Sequence, residues 1–422
     1  MVIAGIGISK NPHTPFDEAA HFDYVVKLSK GHLPKVNEKY GQTILEDIAC
    51  QPVRGEAWLG LEPCGSDYYS PKKAPFGGQS SATGYPPNYY LVTAIPYEIC
   101  DRASSLKPIE CGRLSNSLWL GLASALLAVL MIVIGASPLM AIIVSIGFGS
   151  LPAVLLQGIT VNSDAAAQAL APALALAAIY LARASFSIRR KWGTWSLLLF
   201  LAIPTKPTII PVAVILTYLI WDWVSEKDES QMRRRVGLYA IASLITGVIL
   251  ATLWQSLQVP WRGIGGKDAM TPFLIQSFDS LLSSLQISLG ASLSPFTMLT
   301  WPPLTDVKLI TISAVISLVC WISLFAQRKE IDGVPRSPSG LKFSSEFSVI
   351  GFSMAVIGPI VLASYAWLSY GSAPVQHRYY MATAVLLGAI GIASTSSRWL
   401  KILVTLILGL TSVMTIFFLA IA

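Results

Sequence analysis

The sequence predicts an all-α, multi-pass membrane protein with a long first segment outside the cytoplasm. Three observations predict it. Apolar residues make up 53% of the 422-residue chain and charged residues 13%, about half the charged share of a soluble domain. The apolar residues fall into runs of roughly 20, the length that crosses a bilayer, and these runs suggest about ten spans. The basic residues gather in alternate connections between the runs, as the positive-inside rule requires. A formal charge of +7 suits a nucleic-acid binder only when it forms a patch. Here it is dispersed between apolar runs, so nucleic acid is excluded as a partner. No Gly/Ser linker, low-complexity tract or solenoid repeat divides the chain. It reads as two parts: an extracytoplasmic region over 1–113 and a multi-pass transmembrane domain over 114–422.

The chain begins with Met1-Val2-Ile3-Ala4-Gly5-Ile6-Gly7-Ile8. This run is too short to span and lacks the basic flank of a signal peptide. Met1 therefore reads as an internal start, with a leading membrane helix truncated. Next comes Thr14-Pro15-Phe16-Asp17-Glu18-Ala19-Ala20-His21-Phe22-Asp23-Tyr24. Pro15 suits a first helical turn, and Asp17 and Glu18 suit its positive end. The pattern predicts a helix over 16–30 with an apolar stripe of Phe22, Val25, Val26 and Leu28, stopping at Gly31 and lying along the membrane surface. Cys50, Cys64, Cys100 and Cys111 all fall in this region, where an oxidising compartment preserves disulfides. Of three possible pairings, Cys50–Cys64 and Cys100–Cys111 close short loops and are favoured, each worth roughly 3 kcal/mol. Further on, Tyr85-Pro86-Pro87-Asn88-Tyr89-Tyr90 combines an extended entry with interfacial aromatics.

Candidate spans follow at 114–135, 138–158, 163–182, 194–223, 237–257, 307–326, 347–370, 379–396 and 400–421. The run 194–223 is too long for one helix and is broken by Pro204-Thr205-Lys206-Pro207, so it reads as two helices meeting at an outer turn. With residues 1–113 and the C-terminus outside, the inner connections hold clusters such as Arg189-Arg190-Lys191 and Arg233-Arg234-Arg235. The outer turns hold little besides Lys206 and Arg378.

Four groups on that outer face carry chemistry. Asp17 and Glu18 are the catalytic candidates, with His21 one helical turn from Glu18. On local grounds two acids at a helix start are ordinary macrodipole partners; their place beside the membrane gives them the functional reading. Tyr85 is a candidate substrate-lining residue. Asp164, behind Asn162 and Ser163, either belongs to a helix cap or is an outward site carboxylate. Lys206, Arg378 and Tyr379 sit at span ends, where a cation either snorkels or grips a lipid phosphate. Carboxylates and cations on one membrane face suit sugar transfer from a lipid phosphate: a carboxylate takes the acceptor's proton and a cation stabilises the departing phosphate. Carboxylates with His21 are compatible with a divalent cation, but no residue is assigned as a metal ligand and no cofactor is required.

In order along the chain, Pro15–Phe22 with Lys30-Gly31, Tyr85–Tyr90, Asn162-Ser163-Asp164, Lys206-Pro207 and Arg378-Tyr379-Tyr380 resemble a bacterial membrane-protein family catalogued as domain of unknown function 2142. That family is similar to the GT-C class of polyprenyl-phosphate-sugar glycosyltransferases. The resemblance implies a GT-C-like helical bundle whose extracytoplasmic first loop contains surface helices. It implies a catalytic acid at Asp17 or Glu18 and a second acidic site at Asp164. It further implies a polyprenyl-phosphate-linked sugar donor, an inverting reaction, and a glycan or lipid acceptor in the cell envelope. His377 stands where the family pattern leads us to expect glycine. The alternatives are a transporter or flippase of lipid-linked glycans, which needs polar residues and broken helices in mid-membrane, and a non-catalytic envelope assembly factor.

Overall fold

A computed structural model describes residues 18–35, 38–50, 61–225, 230–257, 380–395 and 397–421. Asp17, Arg378 and Tyr379 lie outside the described residues, as do the expected spans 307–326 and 347–370. The described chain is helical, with one isolated antiparallel bridge between Lys39 and Gln79. In order, α1 is Glu18–Ser29 and α2 is Gln42–Cys50. Three short 3-10 turns (Pro71–Lys73, Pro75–Gly78, Ser81–Gly84) lead to α3, Asn88–Ala103. Then come α4 Pro108–Val133, α5 Pro138–Gly149, α6 Pro152–Ile159, α7 Asp164–Arg183 and α8 Ile188–Thr205. A 3-10 turn at Pro207–Ile209 precedes α9 Ile210–Ser225, α10 Ser230–Leu257, α11 Met381–Ser394 and α12 Arg398–Ile421.

Among the described residues, α4, α7 and an 18-residue stretch of α12 are long and apolar enough to cross a membrane. The bent pair α5–α6 passes the same test only when taken together, as a broken span or a re-entrant loop. Large apolar side chains remain exposed on α4 (Leu118, Leu122, Val129, Ile132) and α12 (Leu403, Leu406, Leu410, Val413), as surfaces facing lipid do.

Local chemistry fixes the ends of these helices. Pro108 opens α4, and Glu110 accepts a hydrogen bond from the Lys107 amide at 3.0 Å. Gly135, at φ +101°, closes it; an L side chain is strained there. Pro138 opens α5, with Ser137 Oγ accepting from the Met140 amide. The run 138–158, expected as one span, is instead bent by 73° after Gly149. Pro152 at the first position of α6 lacks the amide needed to continue α5, and its ring crowds the preceding turn. The run 194–223 is broken at Lys206, between Thr205 at the end of α8 and Pro207 of the 3-10 turn.

Two cores result. The larger lies between the membrane helices, where α7 contributes Ala167, Ala171, Ala175 and Ala178. Small residues let helices approach closely when lipid offers no hydrophobic drive to associate. The smaller core gathers α1, α2, α3 and the 3-10 turns around Phe22, Tyr24, Tyr89, Tyr90 and Ile44. Here α1 departs from the expected surface helix: every residue from Glu18 to Val26 is buried. Helix α3 and the turn at Ser81–Gly84 pack on α1, and its polar residues are enclosed by different partners: His21 by Tyr90 of α3, Glu18 by Arg113 of α4, and Asp23 by Lys27 and the Gly41 amide. Disulfides Cys50–Cys64 and Cys100–Cys111 secure this core, the second joining α3 to the first turn of α4.

Candidate functional site

The site forms where the small core meets the ends of the membrane helices. The α8 helix stops at Thr205, and Lys206 follows in extended backbone (φ −155°, ψ 110°) because Pro207 disfavours a helical conformation before it. This break turns the Lys206 side chain inward, and the residue is only 3% exposed. Its Nζ lies 2.6 Å from Asp164 Oδ1 and donates to Ser163 Oγ at 3.0 Å. Asp164 begins α7, and its amide donates to Asn162 Oδ1 at 2.9 Å. Asn162 thus braces the turn that enters α7, and the Asp164 carboxylate faces the lysine. Lys206 also stands 5.3 Å from the centre of the Tyr85 ring, within reach of a cation–π attraction.

From Tyr85 the contacts pass to α1. The His21 and Tyr85 rings are 5.5 Å apart, and His21 Nδ1 is 2.6 Å from the Tyr90 hydroxyl. Burial pushes the Tyr24, Tyr89 and Tyr90 phenols above their ordinary range. They stay protonated at neutral pH and act as hydrogen-bond donors. A protonated phenol also accepts, so the direction of the His21–Tyr90 bond follows the imidazole tautomer. Tyr24 stacks on Tyr90 at 3.9 Å, and Tyr89 donates to Asn116 Oδ1 at 2.6 Å. One turn before His21 on α1, Glu18 meets Arg113 of α4, and the Val161 amide donates to Glu18 Oε1 at 3.1 Å. Val161 leads back to Asp164 and closes the circuit.

The structure thus brings together Glu18, His21, Tyr85, Asp164 and Lys206, which the sequence singled out at widely separated places. It adds groups that sequence reasoning missed as site residues: Arg113, Tyr90, Asn116 and Ser163. Arg113 carried a readable signal, an arginine at the edge of an apolar run, but its partner is 95 positions away. Among the described residues no three His, Cys, Asp or Glu side chains gather as a metal site requires.

An apolar groove of about 350 Å³ runs beside the site between α3, α4, α7 and α8. Val92, Trp119, Leu174, Leu198 and Leu201 are among the residues that line it, together with Asn88 and Thr205. Thr205 immediately precedes Lys206, but Lys206 itself is not among the lining residues. The groove is lined mostly by apolar side chains and so suits an apolar chain.

No family model matches the chain, so the motif resemblance has no such match behind it. No curated protein matches it either. A solved structure of ArnT from Cupriavidus metallidurans bound to undecaprenyl phosphate is similar at 12% identity, with a TM-score of 0.42. The similarity covers 93% of this chain and 58% of that one, so the chain spans less than two thirds of that protein's length.

Proposed function

We propose that this chain is a membrane glycosyltransferase that moves a sugar from a polyprenyl-phosphate donor to a cell-envelope glycan or lipid on the outer membrane face. The observation that carries this reading is the buried Asp164–Lys206 pair, 2.6 Å apart, beside an apolar groove. A lysine buried at a membrane-helix end is costly unless it serves a charge. Asp164 supplies that charge before the donor arrives. A lipid phosphate then takes its place on Lys206, with Ser163 as a further hydrogen-bonding group. The acceptor oxygen attacks the anomeric carbon from the face opposite the phosphate, and the carbon–oxygen bond to phosphate breaks with its electron pair leaving on phosphate. Lys206 stabilises that charge. The acceptor proton passes to a carboxylate on the attacking side, for which Asp17 of the N-terminal acidic pair is the candidate. Tyr85 flanks the lysine with a ring face suited to the donor sugar. The outward orientation is supported by the basic clusters Arg189-Arg190-Lys191 and Arg233-Arg234-Arg235 near the starts of α8 and α10.

The test is the full chain in lipid nanodiscs, supplied with a panel of polyprenyl-phosphate sugars and envelope acceptors, with transfer of labelled sugar measured. Lys206→Met should cut transfer by about 100- to 1000-fold, the range for losing a stabiliser of developing charge. Asp17→Asn should reduce it comparably if Asp17 takes the proton. A chain that transfers none of the sugars sinks the proposal. One observation favours a second reading, translocation of the lipid-linked sugar: the 73° break between α5 and α6 is the kind of discontinuous helix that conduits use. Movement of labelled donor across sealed vesicles without transfer would select it.

A further inference from the structure

A second buried charge pair lies beside the lysine site. The Arg113 and Glu18 side chains are 1% and 0% exposed. Arg113 donates from Nε to Glu18 Oε1 at 2.8 Å and from Nη2 to Oε2 at 2.9 Å. The Val161 amide donates to the same Oε1 at 3.1 Å. Both carboxylate oxygens are therefore committed, in the two-pronged geometry that gives an arginine–carboxylate pair its directionality.

These groups come from three places: α1, α4 and the connection between α6 and α7. The residues before Arg113 tighten the same seam. Cys111 is bonded to Cys100 of α3. Gly112 lies so close to α1 that an added Cβ would stand 2.8 Å from the Phe22 ring and 3.1 Å from Val161. Three consecutive residues of α4 thus fasten the small core onto the membrane helices. His21 lies one turn along α1 from Glu18, so any shift of Glu18 carries His21 and its neighbour Tyr85 relative to Lys206.

We infer that Glu18 is a positioning residue, gripped by Arg113, that sets His21 and Tyr85 against the Asp164–Lys206 pair, and that it does not take the acceptor's proton. The inference rests on the sugar-transfer reading for its catalytic half. A base must surrender the bonds that occupy its oxygens before it accepts a proton. An anchor needs those bonds intact.

The test is a double replacement in the full chain in nanodiscs, read by thermal unfolding and by sugar transfer. Glu18→Gln leaves Arg113 buried beside a neutral partner, and Arg113→Met leaves Glu18 without its fork. Each single change should lower the unfolding midpoint and slow transfer on the order of 100-fold, the effect of a misplacement of about 1 Å. Glu18→Met with Arg113→Met removes both charges at similar volume, a change that buried ion pairs commonly tolerate. It should restore the midpoint and bring transfer to within about tenfold of the original chain. A double variant that melts like the original yet transfers as slowly as Glu18→Gln overturns the inference, because an anchor can be replaced in this way and a proton acceptor cannot. If the methionine pair does not fold, Glu18→Gln with Arg113→Gln is judged by the same two criteria. If the original chain transfers no sugar, the reaction reading fails by itself. The pairing is then judged on the midpoints, where losses that simply add in the double variant overturn it.

Discussion

Lys206 and Glu18 are both buried and both ion-paired, yet they answer differently to the same kind of substitution. Breaking a buried pair by removing one partner costs about 3–5 kcal/mol, because the remaining charge is left in a poor solvent. Asp164→Asn should therefore lower the unfolding midpoint sharply, and Asp164→Asn with Lys206→Met should recover much of the loss. Transfer should not recover with it, since the proposed mechanism assigns the phosphate to the cation that is lost. A double variant that regains both stability and transfer would reduce Lys206 to an architectural role. An acid-sensitive contact stands apart from the site, at Glu62. The Lys73 ammonium, 2.6 Å away, and the Ser70 amide, at 3.0 Å, hold its carboxyl at about 2, against an ordinary value of 4.5. A carboxylate lowered by folding stabilises the folded loop above its unfolded value and loses that contribution as pH falls through its folded value. Hydrogen exchange at the Ser70 amide should accordingly quicken as pH drops from 4.5 towards 2, relative to the intrinsic rate, and Glu62→Gln should flatten that response. At this scale Asp164 and Lys206 were legible as candidates because charged side chains are rare at the outer span ends of this chain. Their 2.6 Å contact was not, since nothing local in the sequence relates position 164 to 206. The same holds for Arg113, the last residue of the first part, whose partner Glu18 lies 95 positions earlier in that same part.

Helix ends were the most readable elements, because the residues that make them act locally. Ser137-Pro138, Gly135 and the Pro204–Pro207 break each carry their own steric reason. The bend between α5 and α6 is also local, marked by Gly149, Ser150 and Pro152, but the apolar character of 138–158 runs through it and conceals it. The burial of α1 depends on what covers it, and periodicity cannot report that. An amphipathic helix on a membrane and one wrapped by tyrosines show the same stripe. Close approach between elements makes a sharper test. At Gly158 of α6 an added Cβ would stand 2.8 Å from Leu120 Cβ of α4. That atom lies next to the backbone and cannot swing away by changing rotamer. Gly158→Ala should cost roughly 1–3 kcal/mol of stability, the range for overpacking a core. Gly193→Ala in α8 meets nothing within 4 Å and should be neutral or slightly stabilising through helix propensity. Equal unfolding midpoints for the two variants would contradict the packing of α6 on α4.

At the scale of the whole molecule, the two cores divide the work. The membrane helices offer an apolar groove, and the small core supplies Tyr85, His21 and the covering helix α3 beside the cation. On the proposed reading the donor bridges them, so it is long, apolar at one end and anionic at the other, as a polyprenyl phosphate is. This makes the groove testable apart from the chemistry. Ala173 of α7 lines it and is partly exposed, so Ala173→Phe should fill space without crowding the helix interface. Lost groove contacts would weaken donor binding in proportion to the apolar surface they cover, at roughly 25 cal/mol per Å². The expected result is a raised KM for a long-chain donor with kcat preserved at saturation, because the reacting atoms lie beyond the filled stretch. A donor carrying only two isoprene units reaches less of the groove and should be affected less by the same substitution. If both donors suffer equally, the chain of the lipid lies elsewhere, and the groove has no part in binding.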